Sequence, residues 1–225
     1  NVVFMNAHSN GGSVIENTAS LKFEGCRFLN NRLGLEFNLV DNHGKLQIDN
    51  CEFLNNFSRN KSIINNDGEL EMSKSYFINN QSRGGGTCLY NAGKSMIRDV
   101  SFETNSSQSY GIISNGRSAA LVISNSIFAN NSSDISGSAL VNWGQINLDD
   151  SMFTGNSSRN NGGAIINGGK FDISSSKFQS NSSGYSGGAI FNDGEMNINS
   201  TLFMDNESEM PGNSIYAMSG RMELS

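Results

Sequence analysis

The sequence is short of nearly everything that usually marks a catalytic or membrane protein. Its 225 residues include one proline, three cysteines, two histidines and one tryptophan. Two histidines, His8 and His43, leave little for a zinc set, and neither has a Cys or carboxylate at ligand spacing along the chain, so both read as turn residues. No apolar run is long enough to span a bilayer, and no direct membrane insertion is expected. Charged residues make up 16% of the chain with a net charge of −6, which argues against a nucleic-acid partner. There is no phosphate-binding glycine loop, no nucleophile elbow and no basic stripe with interleaved aromatics. No cofactor and no metal is expected. Apolar periodicity of the helical kind is also missing.

What the chain has is a repeat. Phe4, Phe28, Phe53, Phe77, Phe102, Phe128, Phe153, Phe178 and Phe203 recur about every 25 residues, the signature of a solenoid. From Phe28 onward an Asn follows three residues later, as Asn31, Asn56, Asn80, Asn105, Asn131, Asn156, Asn181 and Asn206. An aliphatic column reads Ile15, Leu39, Ile63, Leu89, Ile113, Leu140, Ile165, Ile190 and Ile215. Only 36% of the residues are hydrophobic, but they are placed in columns, which separates this chain from low-complexity disorder.

Within a unit, Leu46, Ile48, Cys51 and Phe53 are spaced by polar residues, a strand pattern with one buried face. Corners such as His43 and Gly44, Asp67 and Gly68, and Asp193 and Gly194 suit positive φ in a tight turn. The Asn after each Phe is expected at a bend in the left-handed region, with its amide bonded to the next Asn along a ladder. Short strands, no helix and a 25-residue period predict an all-β parallel β-helix of about nine coils. One domain spans residues 1–225. It is expected to be a fragment of a longer protein, because Met222 and Leu224 begin another strand and no polar cap closes either end.

Cys26 and Cys51 occupy the position where later coils carry Ser75, Ser126, Ser151, Ser176 or Thr201, and read as small inward fillers. Stacked one strand apart they fall within disulfide range, although parallel side-chain vectors disfavour a bridge. Asp149, Asp150 and Asp172 are the acidic candidates for glycosidic chemistry or calcium. They read instead as solvated outer-face residues, without a facing partner or a complete oxygen shell.

The unit front Gly162, Gly163, Ala164, Ile165, Ile166, Asn167 recurs as Gly187 to Asn192, with worn versions at Gly11 to Ile15, Gly85 to Leu89 and Gly137 to Leu140. Coupled to F-x-x-N, it resembles the repeats of chlamydial polymorphic outer membrane proteins. In its Asn, Ser and Ile richness, as at Phe153 to Ser158, it also resembles the adhesin-like surface proteins of methanogenic archaea. The likeness covers nearly the whole chain; Leu35 to Asn42 departs from it. It implies a right-handed β-helix, extracellular or on a cell surface, that acts as a non-catalytic adhesive rod.

Three readings of function follow: an adhesin binding a surface protein or polysaccharide, a polysaccharide lyase or hydrolase fragment, and a structural spacer or tail-spike segment. Sequons at Asn56, Asn80, Asn105, Asn131, Asn156, Asn181 and Asn206, and at Asn60, Asn130 and Asn199, are candidate glycosylation sites for a secreted chain. A candidate binding stripe follows the aliphatic column: Val40, Ile64, Tyr90, Val141, Ile166, Phe191 and Tyr216, with Trp143 beside it. Either the segments after F-x-x-N fold over this stripe, or the wall bends and tucks both columns inside, or the stripe is an adhesive or self-association surface.

Overall fold

The computed structural model describes residues 2–9 and 11–225 as a parallel β-helix with no helix among them. Each coil contributes one strand to each of four sheets, and every sheet has nine strands in coil order. The sheets are named here by what they bury. The Phe wall begins with Val3–Met5 and the serine wall with His8–Ser9; the Ile wall begins with Ile15–Asn17 and the long wall with Ser20–Glu24. At about 4.8 Å per coil the rod is roughly 38 Å long.

The Phe column is a continuous ring stack from Phe4 to Phe203, with centroids 4.3 to 5.1 Å apart and planes within 22° of parallel. Burial of such a ring stabilises by about 1.5–3 kcal/mol, and each ring is buried only because coils lie on both sides of it. The long wall supplies Leu46, Ile48, Leu70, Ile97 and their counterparts to the same core.

Two asparagine ladders run the length of the interior. In the ladder after Phe, each Nδ2 donates to Oδ1 of the next Asn at 2.9 to 3.1 Å, from Asn31 to Asn206. The left-handed residue is not this Asn but the one before it: Asn30, Asn55, Asn79, Thr104, Asn130, Gly155, Ser180 and Asp205 have φ between 52° and 62°. That residue makes the bend and so turns the ladder Asn inward. The second ladder was not expected. It joins Asn17, Asn42, Asn66, Asn91, Asn115, Asn142, Asn167 and Asn192 at 2.6 to 2.9 Å, at the exit of the Ile wall.

The corner glycines also differ from expectation. Gly44, Gly68 and Gly194 do not have positive φ. They are required because a Cβ there would lie 2.1 to 2.2 Å from a carbonyl oxygen of the adjacent coil.

The aliphatic column needs re-registering in two coils. Ile15 pairs with Val40, Val40 with Ile64, and Ile64 with Leu89. Val40 and Ile64 are therefore inward and fully buried, while Leu39 and Ile63 occupy the preceding slot, shared with Cys88 and Ala139 and buried as well. Two successive residues lie inside because the first belongs to the bend that enters the strand. The outward column is then Glu16, Asp41, Asn65, Tyr90, Ser114, Val141, Ile166, Phe191 and Tyr216.

Candidate functional site

Along the outside of the Ile wall the stacking produces a groove of about 640 Å³. Its floor is the outward column over five coils: Asp41, Asn65, Tyr90, Ser114 and Val141. One flank comes from the turns entering the wall, with Glu36, Asn38, Lys61, Ser62 and Tyr110; the other comes from the corners leaving it, with His43, Asp67 and Trp143. A second hollow of about 590 Å³ continues past Tyr90 and Trp143 over Ser114, Gly116 and Arg117. The small residues Asp41, Asn65 and Ser114 leave the floor low. In later coils the same column carries Ile166, Phe191 and Tyr216.

The acidic half is ordered by neighbouring coils. Asn65 Nδ2 donates to Asp41 Oδ1 at 2.8 Å and to Asp67 Oδ2 at 3.2 Å. Buried Asn38 donates to Asp41 Oδ2 at 3.2 Å and accepts from Ser62 Oγ at 3.2 Å. His43 lies between the carboxylates, 3.6 Å from Asp41 and 3.2 Å from Asp67. Ligand atoms of Asp41, His43 and Asp67 all fall within 4.8 Å of one another. This corrects the reading that His43 has no carboxylate partner, because stacking supplies one from the next coil. The three donors could hold a cation only with further ligands from solvent or from a bound molecule.

The aromatic half is Tyr90, Tyr110 and Trp143, with exposures of 42%, 42% and 46%. Trp143 lies across Gly168, where a Cβ would come within 2.4 Å of its ring. Glycine in the next coil therefore gives this indole its seat. Arg117 belongs to a corner enlarged to Gly116–Arg117–Ser118–Ala119, where other coils turn through a pair such as His43 and Gly44.

The candidate stripe is thus divided. Tyr90, Val141 and Trp143 line the groove, but Val141 is 1% exposed, and a Cβ on Gly137 would meet its side chain at 2.9 Å. Ile166, Phe191 and Tyr216 are half-buried beyond the groove, with Phe191 stacked on Tyr216 at 5.5 Å. Val40 and Ile64 are in the core. Covering by the turn segments accounts for Val141 and part of the later stripe, leaving the aromatics as the accessible portion. Glu36, Asp41 and Tyr110 went unnoticed in the sequence, and His43 and Asp67 were read only as corner residues; aligning coils on the second Asn ladder would have set Asp41 and Asn65 in the outward column.

The sequons on the ladder after Phe are corrected too. Asn56, Asn80, Asn105, Asn131, Asn156 and Asn181 are fully buried and Asn206 is buried, and each Nδ2 donates to a Phe carbonyl of the preceding coil. The folded chain leaves no amide nitrogen free there for a glycan; Asn60, Asn130 and Asn199 are exposed. Asp149 and Asp172 lie on the long wall, accepting from Ser174 and Asn197, and Asp150 forms a left-handed corner at φ 43°. They are outside the groove. The three cysteines are free, with the Cys26 N–H donating to Cys51 Sγ at 3.3 Å.

A family model described as a right handed beta helix region matches residues 11–178, most of the chain. The chain belongs to this right-handed β-helix family. No curated protein and no solved structure matches it. Within the β-helix family's frame of stacked coils, the groove is a local departure: the enlarged corner at Arg117 and the exposed aromatics Tyr90, Tyr110 and Trp143 distinguish these coils from their neighbours.

Proposed function

We propose that this β-helix is a cell-surface or secreted adhesive rod that holds a polysaccharide along its Ile wall without cleaving it. The carrying observation is the line of Tyr90, Tyr110 and Trp143 in one open groove together with carboxylates and side-chain amides. Sugar rings offer apolar C–H faces to aromatic rings and hydroxyls to polar groups, and this groove presents both along an axis that an extended polymer can follow. The polar outer columns and the likeness of the repeat to adhesin-like coils support placement outside the cell.

A glycan array with the wild-type rod, followed by titration calorimetry on the best ligand, tests the reading. Trp143→Ala and Tyr90→Ala should each weaken binding by about tenfold or more, as expected for loss of a buried aromatic contact. Absence of binding across the array would leave the rod as a spacer, and unchanged affinity in both variants would remove this groove as the binding site.

A second reading draws on Asp41 and Asp67. Two carboxylates in a groove are the minimum for acid and base work on a glycosidic bond, and the β-helix family holds both enzymes and non-enzymes. New reducing ends, released from the bound polymer by wild type but not by Asp41→Asn, would replace the adhesive reading with a catalytic one.

A further inference from the structure

We propose that the groove selects a saccharide carrying a free amine, held at the end formed by Asp41 and Asp67. This rests on the reading of the groove as a saccharide site and adds the chemical class of its ligand. The charge along the groove is uneven. Glu36, Asp41 and Asp67 face the hollow from two coils and their entering turn, against one lysine, Lys61, which lies 3.7 Å from Glu36. His43 is the other basic group there, within 3.6 Å of both aspartates. The excess is negative whether or not His43 carries a proton. At the other end the charge is positive, from Arg117 beyond Tyr90 and Trp143.

An ammonium entering this field has one favourable place. Asn65, which holds Asp41 and Asp67 in position, is the Cα partner of Tyr90 on the next coil, so the carboxylates are followed along the floor by an aromatic side chain one strand away. Carboxylates beside an aromatic face are the combination that favours a primary ammonium over a neutral amide, through charge-assisted hydrogen bonds and cation–π attraction. An N-acetylated sugar presents neither the charge nor three donors. A uronic acid at this end meets like charge, although Arg117 accepts it at the other. A ligand carrying a single amine is therefore held in one direction, amine toward Asp41 and Asp67 and the opposite end toward Trp143.

The test compares glucosamine and N-acetylglucosamine oligomers of equal length by calorimetry, below the amine's pKa, for wild type, the Asp41→Asn/Asp67→Asn double variant and Arg117→Ala. Wild type should bind the free-amine oligomer about tenfold more tightly than the acetylated one, with the difference shrinking as salt is raised. The double variant should lose that preference, binding the two oligomers with equal affinity. Arg117→Ala should retain or raise the preference. Equal binding of both oligomers by wild type, or a preference that survives the double variant, overturns the amine assignment while leaving the saccharide groove intact. If neither oligomer binds, the assignment fails; whether the groove reading fails with it is then decided by the glycan array.

Discussion

Asn131 points both its Nδ2 and its main-chain N–H at one atom, Oδ1 of Asn156, at 3.0 and 3.1 Å. Asn156 in turn donates to the Phe128 carbonyl at 2.9 Å and to Oδ1 of Asn181 at 3.0 Å. Each ladder amide thus ties its own coil to both neighbours in a fully buried place, where nothing else could satisfy those groups.

Asn156→Ala strands several buried donors and acceptors at once. With each costing about 1–3 kcal/mol, the loss should be on the order of 3 kcal/mol or more, read from urea denaturation. The exposed neighbouring left-handed position, Asn130→Gly, should change stability by no more than about 0.5 kcal/mol. Equal effects of the two substitutions would contradict the ladder.

Gly169→Ala places a Cβ 2.2 Å from the Gly144 carbonyl oxygen and 2.7 Å from the Trp143 carbonyl carbon, both backbone atoms of the adjacent coil. The coils must separate locally, at a cost of about 3 kcal/mol. Gly11→Ala meets nothing within 4 Å and should be silent. Because Trp143 adjoins the strained contact, Gly169→Ala should also shift tryptophan fluorescence.

Burial pushes the Cys51 thiol up to about 11. The folded state thus binds the thiol proton more tightly than the unfolded chain does. The associated stability is present in full below the ordinary thiol range, roughly pH 8.5, and is lost as pH rises through about 11. Denaturation midpoints measured across this interval should fall for wild type. They should fall less for Cys51→Ser, whose hydroxyl can accept from Cys26 N–H and donate to Asp49 O as the Ser126 hydroxyl accepts from Val100 N–H and donates to Ser124 O.

The architecture was legible because Phe53 and Asn56 have counterparts at a nearly fixed step, and a fixed step leaves a helix-free chain little but stacking. The register of the second and third coils was not. Leu39 and Val40, like Ile63 and Ile64, are adjacent apolar pairs, and alternation cannot say which member continues a column when both are buried. That ambiguity displaced Asp41 and Asn65 and hid the groove. Tyr90 was visible as part of an outward apolar stripe with Val141, Ile166, Phe191 and Tyr216, and Trp143 as the one tryptophan of the chain beside it. Tyr110 and Glu36 sit in turns with no period to mark them, and meet the others only through the stacking of coils.

The repeated pairing of coil upon coil has a consequence for size. The joint between any two successive turns is made by the same atoms, so the rod has a unit of length, about 4.8 Å. Duplicating or losing one turn moves everything beyond it by that unit and disturbs neither ladder. Reach and surface chemistry are therefore separable variables in this molecule: the first is counted in turns, and the second is written on single outward residues such as Tyr90 and Ser114.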